Sequence, residues 1–295
     1  MAKHLAGIIP LANFKDNYKL PYDSFMLPIE NDFTLIQKSV FECALAGCST
    51  IWIVANDDLA PLVKKHIGEW VYDPVYFWDN YIDNRIVQRR THIPIYYVPI
   101  LPKDRDRRDS YGWSALFGMH SAWYVSHRIS KWVVPKKYFV SFPHGIYNFW
   151  SLREHRKDLF NTTKNFFFNH KGKTAKDNLP IPFTMRGEDF IQCRRWVNKL
   201  TTKEYATPEG DDYTYKDLVR LPAKDRWSAR HFDLATIFDK VSEEECFRQD
   251  LDWFYDLREW DGYRAYLASD NVIGSPNWRL TKPHQLNKLC EEGEE

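Results

Sequence analysis

Residues 7–68 read GIIPLANFKDNYKLPYDSFMLPIENDFTLIQKSVFECALAGCSTIWIVANDDLAPLVKKHIG. The segment Leu5–Leu11 is a short apolar run without alternation, which is typical of a strand buried on both faces. Apolar residues at helical spacing follow, and Gly47 stands where a helix C-cap belongs. Thr50–Ala55 is a second apolar run. Two parallel strands joined by a crossover helix form a right-handed βαβ unit, so the stretch predicts an α/β fold.

A polar, turn-rich loop, Asn13–Asp23, follows the first predicted strand. Its pattern is too irregular for either a helix or a strand. In open α/β sheets, ligands lie at the carboxyl ends of the strands. The sequence therefore places the candidate site at this loop.

Four short segments of the chain occur in an order that resembles the opening of the sugar-phosphate nucleotidyltransferases. They are Pro10-Leu11-Ala12, Leu27-Pro28-Ile29, Ala46-Gly47-Cys48 and Ile51–Val54. The resemblance implies a glycosyltransferase-A-like fold, with α/β/α layers, a mostly parallel central sheet and, in this chain, an aromatic-rich insertion. The chain departs from the family in its signature loop, where Asn13–Asn17 replaces the glycines. Ser24 and Phe25 stand near the position of the family's Lys-Pro pair.

The resemblance also implies a reaction, the transfer of a nucleoside monophosphate from a nucleoside triphosphate to a sugar 1-phosphate with release of pyrophosphate. Such transfers depend on positioning and charge neutralisation. We therefore expect Lys15 and Lys19 to act as catalytic cations. In the family a Gly-containing turn before a helix lies beside the base, and the helix predicted over Ser110–Ile129 begins with a similar turn. The expected nucleotide-binding residues are Leu11, Ala12, Asn13, Asn17, Gly112, Ser114 and His144.

The strand predicted over Lys137–Phe142 ends at Pro143-His144-Gly145. In the family the equivalent strand ends in a Gly-Asp-like pair, whose Asp holds a divalent metal. Hard cations such as Mg²⁺ prefer carboxylate oxygens, and here a histidine stands instead. His144 is either a phosphate contact or an acid–base group near neutral pH, or it is a structural histidine in a turn.

A second match lies near the C-terminus, where a predicted strand over Leu251–Leu257 precedes Trp260-Asp261-Gly262-Tyr263. This order resembles the late part of the same family, in which a metal-binding Asp lies in the turn. We carry that role to Asp261 and expect Mg²⁺ as the cofactor. The alternative is that Asp261 forms a turn or caps a helix.

Composition excludes some classes of function. The chain has 295 residues, a formal net charge of +1 and a pI of about 7.7, so nucleic acid is not an expected partner. Its five cysteines are scattered without zinc spacing, which indicates reduced thiols and a cytoplasmic location. No apolar run approaches the roughly 20 residues of a membrane helix, so no membrane partner is expected.

The middle of the chain has no clear counterpart in the family. We expect a nucleotide-binding half over 1–147, an insertion or substrate-side region over 148–230, and a return to the α/β domain over 231–295. The basic and aromatic residues of Asn148–Lys199 indicate either surface charge over an apolar ledge or a stacking platform for nucleotides or single-stranded nucleic acid.

Two other functions stay open from the sequence. The lost glycines, Lys-Pro pair and metal Asp favour a non-catalytic, nucleotide-binding or interaction protein. A glycosyltransferase on the same architecture would use an Asp-x-Asp pair, for which Asp104–Asp106 and Asp250–Asp252 are the candidates. The charged run Lys103–Arg108 is either a solvated loop or a phosphate clamp.

Overall fold

An eight-stranded mixed sheet forms the centre of the fold, in the strand order β13-β9-β10-β7-β1-β4-β6-β5. The computed structural model describes residues 4–11, 18–75, 92–105, 110–201, 205–206, 219–220, 232–244, 246–271 and 273. The strands are β1 Leu5–Pro10, β2 Pro28–Glu30, β3 Phe33–Thr34, β4 Thr50–Asn56, β5 Trp70–Tyr72, β6 His92–Ile100, β7 Lys137–Val140, β8 Gly145–Tyr147, β9 Phe166–Asn169, β10 Phe183–Arg186, β11 Tyr205–Ala206, β12 Val219–Arg220, β13 Phe247–Asp250 and β14 Phe254–Asp256.

Helices cover both faces of this sheet. They are α1 Leu35–Leu45, α2 Ala60–Ile67, α3 Pro102–Arg105, α4 Tyr111–Ile129, α5 Ser151–Glu154, α6 Arg156–Leu159, α7 Gly187–Thr201, α8 Leu234–Phe238 and α9 Trp260–Leu267. Within the described ranges, no helix combines the length and the apolar character needed to cross a membrane.

Parallel pairing in the sheet confirms the predicted α/β class. Strand β1 pairs in parallel with both β4 and β7, and β4 pairs in parallel with β6. Strand β10 is antiparallel to β7 and β9, and β5 closes one edge antiparallel to β6. The carboxyl ends of β1, β4, β6 and β7 therefore meet at one edge of the sheet, where ligands of open α/β sheets lie.

Alternate side chains of β1 pack against the two different helical layers of the fold. Leu5 and Ile9 belong to the apolar cluster that includes α1, while Ala6 and Ile8 belong to the cluster that includes α4. Successive side chains of a strand point to opposite faces, so an all-apolar strand must be covered by other elements on both faces of the sheet. The three-layer α/β/α arrangement that the resemblance implies is confirmed.

The region 148–230 contributes to the central sheet through β9 and β10. Phe166, Phe167 and Phe168 are at most 1% exposed in β9, so the interpretation of these rings as a stacking platform is wrong. Their apolar character serves the core on both faces of the sheet. The domain boundaries at 147 and 230 stay a prediction.

Three other local predictions need correction. The start of the charged run at 103–108 is helical, because α3 covers Pro102–Arg105. The sequence also predicts a helix over Glu188–Leu200 with Ile191 on its inner side, but Ile191 is 47% exposed. The single strand expected over Leu251–Leu257 begins only at β14, after the separate edge strand β13.

Close contact between α4 and the sheet gives a stability prediction at Gly118. A Cβ atom there would lie 2.7 Å from Val54 Cγ2 and 2.9 Å from Ile8 Cγ2. Although alanine favours helix, we expect Gly118→Ala to lower the free energy of unfolding by about 1–3 kcal/mol through overpacking. Gly187→Ala is the control in urea unfolding, because a Cβ there meets only Lys136 O at 3.6 Å. Equal effects of the two variants would contradict the contact.

Candidate functional site

The candidate site lies at the carboxyl ends of the parallel strands, where the turn after β7 meets β14. This turn runs from Ser141 to His144 and leads into β8, which pairs antiparallel with β14. The N–H of Leu257 donates to His144 O at 2.7 Å. Residues from the middle and the C-terminal part of the chain are thus joined by backbone pairing at this edge.

Tyr18 brings the N-terminal loop to the same place. Its hydroxyl donates to Leu257 O at 2.7 Å and lies 3.0 Å from Glu259 O. Its ring meets Trp260 edge to face, with the ring centroids 5.4 Å apart. The end of the loop that follows β1 is therefore held against the segment that follows β14. This contact joins the two sequence segments that carried the family resemblance.

His144 is buried at the centre of this meeting point. Its Nε2 lies 2.8 Å from Ser24 Oγ and its Nδ1 lies 3.3 Å from the Tyr111 hydroxyl. Burial, and to a lesser extent the nearby Lys38 and Arg258 cations, lowers the pKa of His144 to about 3. This shift favours the structural role of His144 over an acid–base role near neutral pH, and its expected nucleotide contact stays a prediction. His144 orders the turn as a neutral, hydrogen-bonded ring.

Burial of neutral His144 makes stability depend on pH. The unfolded chain binds a proton near pH 6.5, whereas the folded ring does so only near pH 3. The stability contribution of the neutral ring is complete above pH 6.5 and is lost as the pH falls towards 3, by roughly 1.4 kcal/mol per pH unit. We expect His144→Gln to flatten the unfolding free energy against pH in this window. His127→Gln, at an exposed histidine, is the control, and an unchanged slope in His144→Gln would contradict the assignment.

A buried ion pair holds the turn that carries His144. Lys38 and Glu42, one helical turn apart on α1, are both fully buried, with Lys38 Nζ 2.9 Å from Glu42 Oε1. The ammonium also donates to Phe142 O at 3.1 Å and to Gly145 O, and Ser141 Oγ donates to the Glu42 carboxylate. Burial lowers the pKa of Lys38 and raises that of Glu42, and their mutual attraction opposes both shifts.

Asp256 is the carboxylate that ends β14, in register with Gly145. Arg258 covers it: the guanidinium Nε lies 2.9 Å from Oδ1 and Nη2 lies 2.6 Å from Oδ2. Nη2 also donates to Asn178 O at 2.7 Å. In the described part of the chain, Nη1 of Arg258 has no acceptor, so one arm of the guanidinium can bind an anion.

The carboxylates at this edge do not fit a Mg²⁺ site. Magnesium prefers an octahedral set of oxygens near 2.1 Å. Among the residues that the structure describes, no three His, Cys, Asp or Glu side chains could share a metal ion. Asp256 faces a guanidinium, and a neutral ring occupies the turn after β7. Mg²⁺ as the cofactor stays a prediction.

Asp261 lies apart from this cluster. It is in the first turn of α9, its side chain is 91% exposed, and its Oδ1 lies 3.9 Å from Arg264 Nη1. The residue at the cap position of this helix is Glu259, so Asp261 is not the cap, although a carboxylate in a first helical turn interacts favourably with the helix dipole. Its metal role stays a prediction.

The other sequence-predicted residues fall into two groups. Leu11 is buried and donates its N–H to Val54 O at 2.7 Å, and Lys19 is exposed in a left-handed conformation with φ 53°. Gly112 and Ser114 are buried in α4, where Gly112 faces Ile237. The remaining predicted residues lie outside the described ranges; they are Ala12, Asn13, Lys15 and Asn17.

Charged residues at the ends of β4 and β6 pair with each other. Arg105 Nη1 donates to Asp58 Oδ2 at 3.1 Å and Nη2 pairs with Asp57. The phosphate-clamp interpretation of Arg105 is not supported, because its guanidinium already binds two carboxylates. The Asp-x-Asp candidate at Asp250–Asp252 lies at the edge strand β13, four strands from β1.

Sequence reasoning missed four side chains that the structure brings together: Tyr18, Tyr111, Asp256 and Arg258. Asp256 carried a usable signal, since it lies one residue before the end of the strand predicted over Leu251–Leu257 and strand ends hold the sites of α/β sheets. Arg258 carried none, because a guanidinium two residues after a carboxylate is common in surface loops.

Comparisons with known proteins agree on the fold. No family model matches the sequence, and no curated protein matches it significantly. Among solved structures, the chain is similar to a protein described as a glucose-1-phosphate thymidylyltransferase from Bacillus anthracis, in complex with sucrose (TM-score 0.55, 9% identity, 92% of this chain and 98% of that one). A CTP:phosphocholine cytidylyltransferase from Streptococcus pneumoniae gives a TM-score of 0.48 at 9% identity, covering 90% of this chain and 97% of that one. At 9% identity, the likeness to the first of these two structures shows that the chain shares its fold.

Proposed function

We propose that this protein holds a nucleoside triphosphate above the carboxyl ends of β1 and β7 and transfers its nucleoside monophosphate to a sugar 1-phosphate. An oxygen of the sugar phosphate attacks the α-phosphorus, the bond between the α-phosphorus and the bridging oxygen breaks, and pyrophosphate leaves. The attacking phosphate oxygen already carries negative charge, so the step needs no general base. A neutral His144 is compatible with this chemistry.

One observation carries the proposal: Tyr18 joins the loop after β1 to the segment after β14 over the edge where parallel strands end. That edge is where α/β sheets bind ligands. The fold is shared with a protein described as a glucose-1-phosphate thymidylyltransferase over 92% of this chain. Shared fold alone does not assign a reaction, so the site supplies the rest of the argument.

Positive charge is what this site offers to a triphosphate. Lys15 and Lys19 belong to the loop that follows β1, and Arg258 lies at the end of β14. Arg258 is 21% exposed at its side chain, which leaves it reachable from solvent. Cations fixed at the reacting phosphates stabilise the charge that spreads over them in the transition state.

Pyrophosphate release tests the proposal. The protein is incubated with each nucleoside triphosphate and a panel of sugar 1-phosphates, and release must require both substrates. Lys19→Ala should slow release, while Lys171→Ala should not, since Lys171 is an exposed lysine with the same φ of 53° in another turn. Absence of release with every substrate pair would contradict the transfer reaction.

A second candidate, nucleotide binding without turnover, is favoured by the Asp256–Arg258 pair. This pair neutralises the carboxylate at the end of β14. Thermal shift separates the candidates, because a ligand of the folded state raises its melting temperature. A shift with triphosphates but no pyrophosphate release supports the binding protein, and a shift with nucleotide sugars alone supports a glycosyltransferase.

A further inference from the structure

A cavity of about 770 Å³ lies on the opposite edge of the sheet from the candidate site. It is bounded by the second half of α4, the first half of α7 and the segment that leads into β7. Strand β7 begins at Lys137 and runs away from the cavity towards Ser141, so the sheet separates the two places. The volume lies in the range of pockets that hold small organic molecules.

One wall of the cavity is apolar. It includes the rings of Trp123 and Phe190 and the side chain of Ile191. Ile191 is 47% exposed and lies next to Phe190 in the chain, which is buried. An isolated exposed isoleucine needs no explanation, but one that lines a cavity together with two aromatic rings offers a surface for a flat apolar ligand.

A buried hydroxyl belongs to another residue that lines the cavity. Tyr138, a cavity-lining residue of β7, has no exposed surface, and its hydroxyl finds no hydrogen-bond partner among the described residues. A buried polar group without a partner costs about 1–3 kcal/mol. In native proteins such a group usually has a partner that is a water or a ligand.

The rim of the cavity is positively charged. Lys136, Arg194 and Arg195 line it, and Glu188 is the one carboxylate in the described lining. Arg186 also lines it, but its guanidinium already pairs with Asp189 at 3.0 Å. Arg194 Nη1 donates to His120 Nδ1 at 2.9 Å, and burial together with Arg194 lowers the pKa of His120. Because a neutral His120 ring carries no negative charge, this hydrogen bond does not neutralise the Arg194 guanidinium, which can still bind an anion.

We propose that this cavity is a second ligand site, which binds a small organic anion with a flat apolar body. The flat apolar body of the ligand packs against the aromatic residues, Arg194 and Arg195 bind its anionic group, and the Tyr138 hydroxyl supplies a polar contact. Bidentate guanidinium contacts suit a carboxylate, sulfonate or phosphate group. The proposal is independent of nucleotidyl transfer, because none of its residues reaches the other edge of the sheet.

Fluorescence titration with two naphthalene probes tests it. The probes are 8-anilinonaphthalene-1-sulfonate and its uncharged analogue N-phenyl-1-naphthylamine. We expect the sulfonate to saturate one site on the folded wild type. The double variant Arg194→Ala/Arg195→Ala should weaken sulfonate binding about tenfold or more, because two charge-assisted contacts are lost, and should change binding of the uncharged probe much less.

Two controls locate the probe. Arg264→Ala removes an exposed arginine on α9 and should leave sulfonate binding unchanged. An excess of nucleoside triphosphate should not displace the probe, whether or not the triphosphate binds at the other edge. Displacement by triphosphate, wild-type sulfonate affinity in the double variant, or the absence of saturable binding would each overturn the proposal.

Discussion

Glu42→Ala will lower the free energy of unfolding by about 3–5 kcal/mol, because it leaves the Lys38 amine buried without its carboxylate partner. Both side chains have no exposed surface, and the pair is 2.9 Å apart. The same substitution removes the acceptor of Ser141 Oγ and loosens the ammonium that holds Phe142 O. Urea unfolding of the two proteins measures the difference.

Two further variants show whether the loss comes from the unpaired charge. Lys38→Met combined with Glu42→Leu should cost less than Glu42→Ala alone, since apolar replacements leave no charge unpaired. Glu69→Ala, which breaks the exposed pair with Lys64, should leave the unfolding midpoint nearly unchanged. If Glu42→Ala is as mild as Glu69→Ala, the buried pair does not hold this part of the fold.

Arg258→Ala will reduce pyrophosphate release by about a hundredfold, given the proposed transfer reaction. Removing one fixed cation or donor from a transition state typically costs about 10²–10³ in rate. Here the loss also uncovers the Asp256 carboxylate, which then repels the phosphates. The effect should fall on kcat/KM, measured at low triphosphate concentration with a saturating sugar phosphate.

Two comparisons separate charge from structure. Arg258→Lys keeps the charge but loses the forked contacts to Asp256 and Asn178, so it should recover only part of the activity. Arg264→Ala, at an exposed arginine of α9, should behave as wild type. Full activity in Arg258→Ala would show that the phosphates bind elsewhere.

The fold could be predicted because its signals are local. The buried strands and Gly47, with φ 85°, are specified by residues close in sequence. The parallel pairing of β1 with β4 follows from the crossover helix between them. The positions of β9 and β10 in the sheet could not be predicted in this way. No local sequence pattern indicates which strand will pair with an antiparallel strand that follows a long connection.

The site could be predicted only as a place. Strand ends directed attention to the loop after β1 and to His144, and Tyr18 and His144 both lie near the carboxyl ends of the parallel strands. The charge state of His144 depends on burial and on Ser24 and Tyr111, which are 120 and 33 residues away. The Asp256–Arg258 pair depends on β8 pairing with β14. These contacts between distant residues determine the chemistry, and a single sequence does not encode them in any local pattern.

A crystal structure with a non-hydrolysable analogue of the triphosphate that gives the largest thermal shift tests the central claim most directly. The account predicts phosphates within hydrogen-bonding distance of Arg258 and of the 12–19 loop, over the carboxyl ends of β1 and β7. Phosphates bound in the cavity between α4 and α7, or anywhere that leaves both Arg258 and this loop without contact, would contradict it.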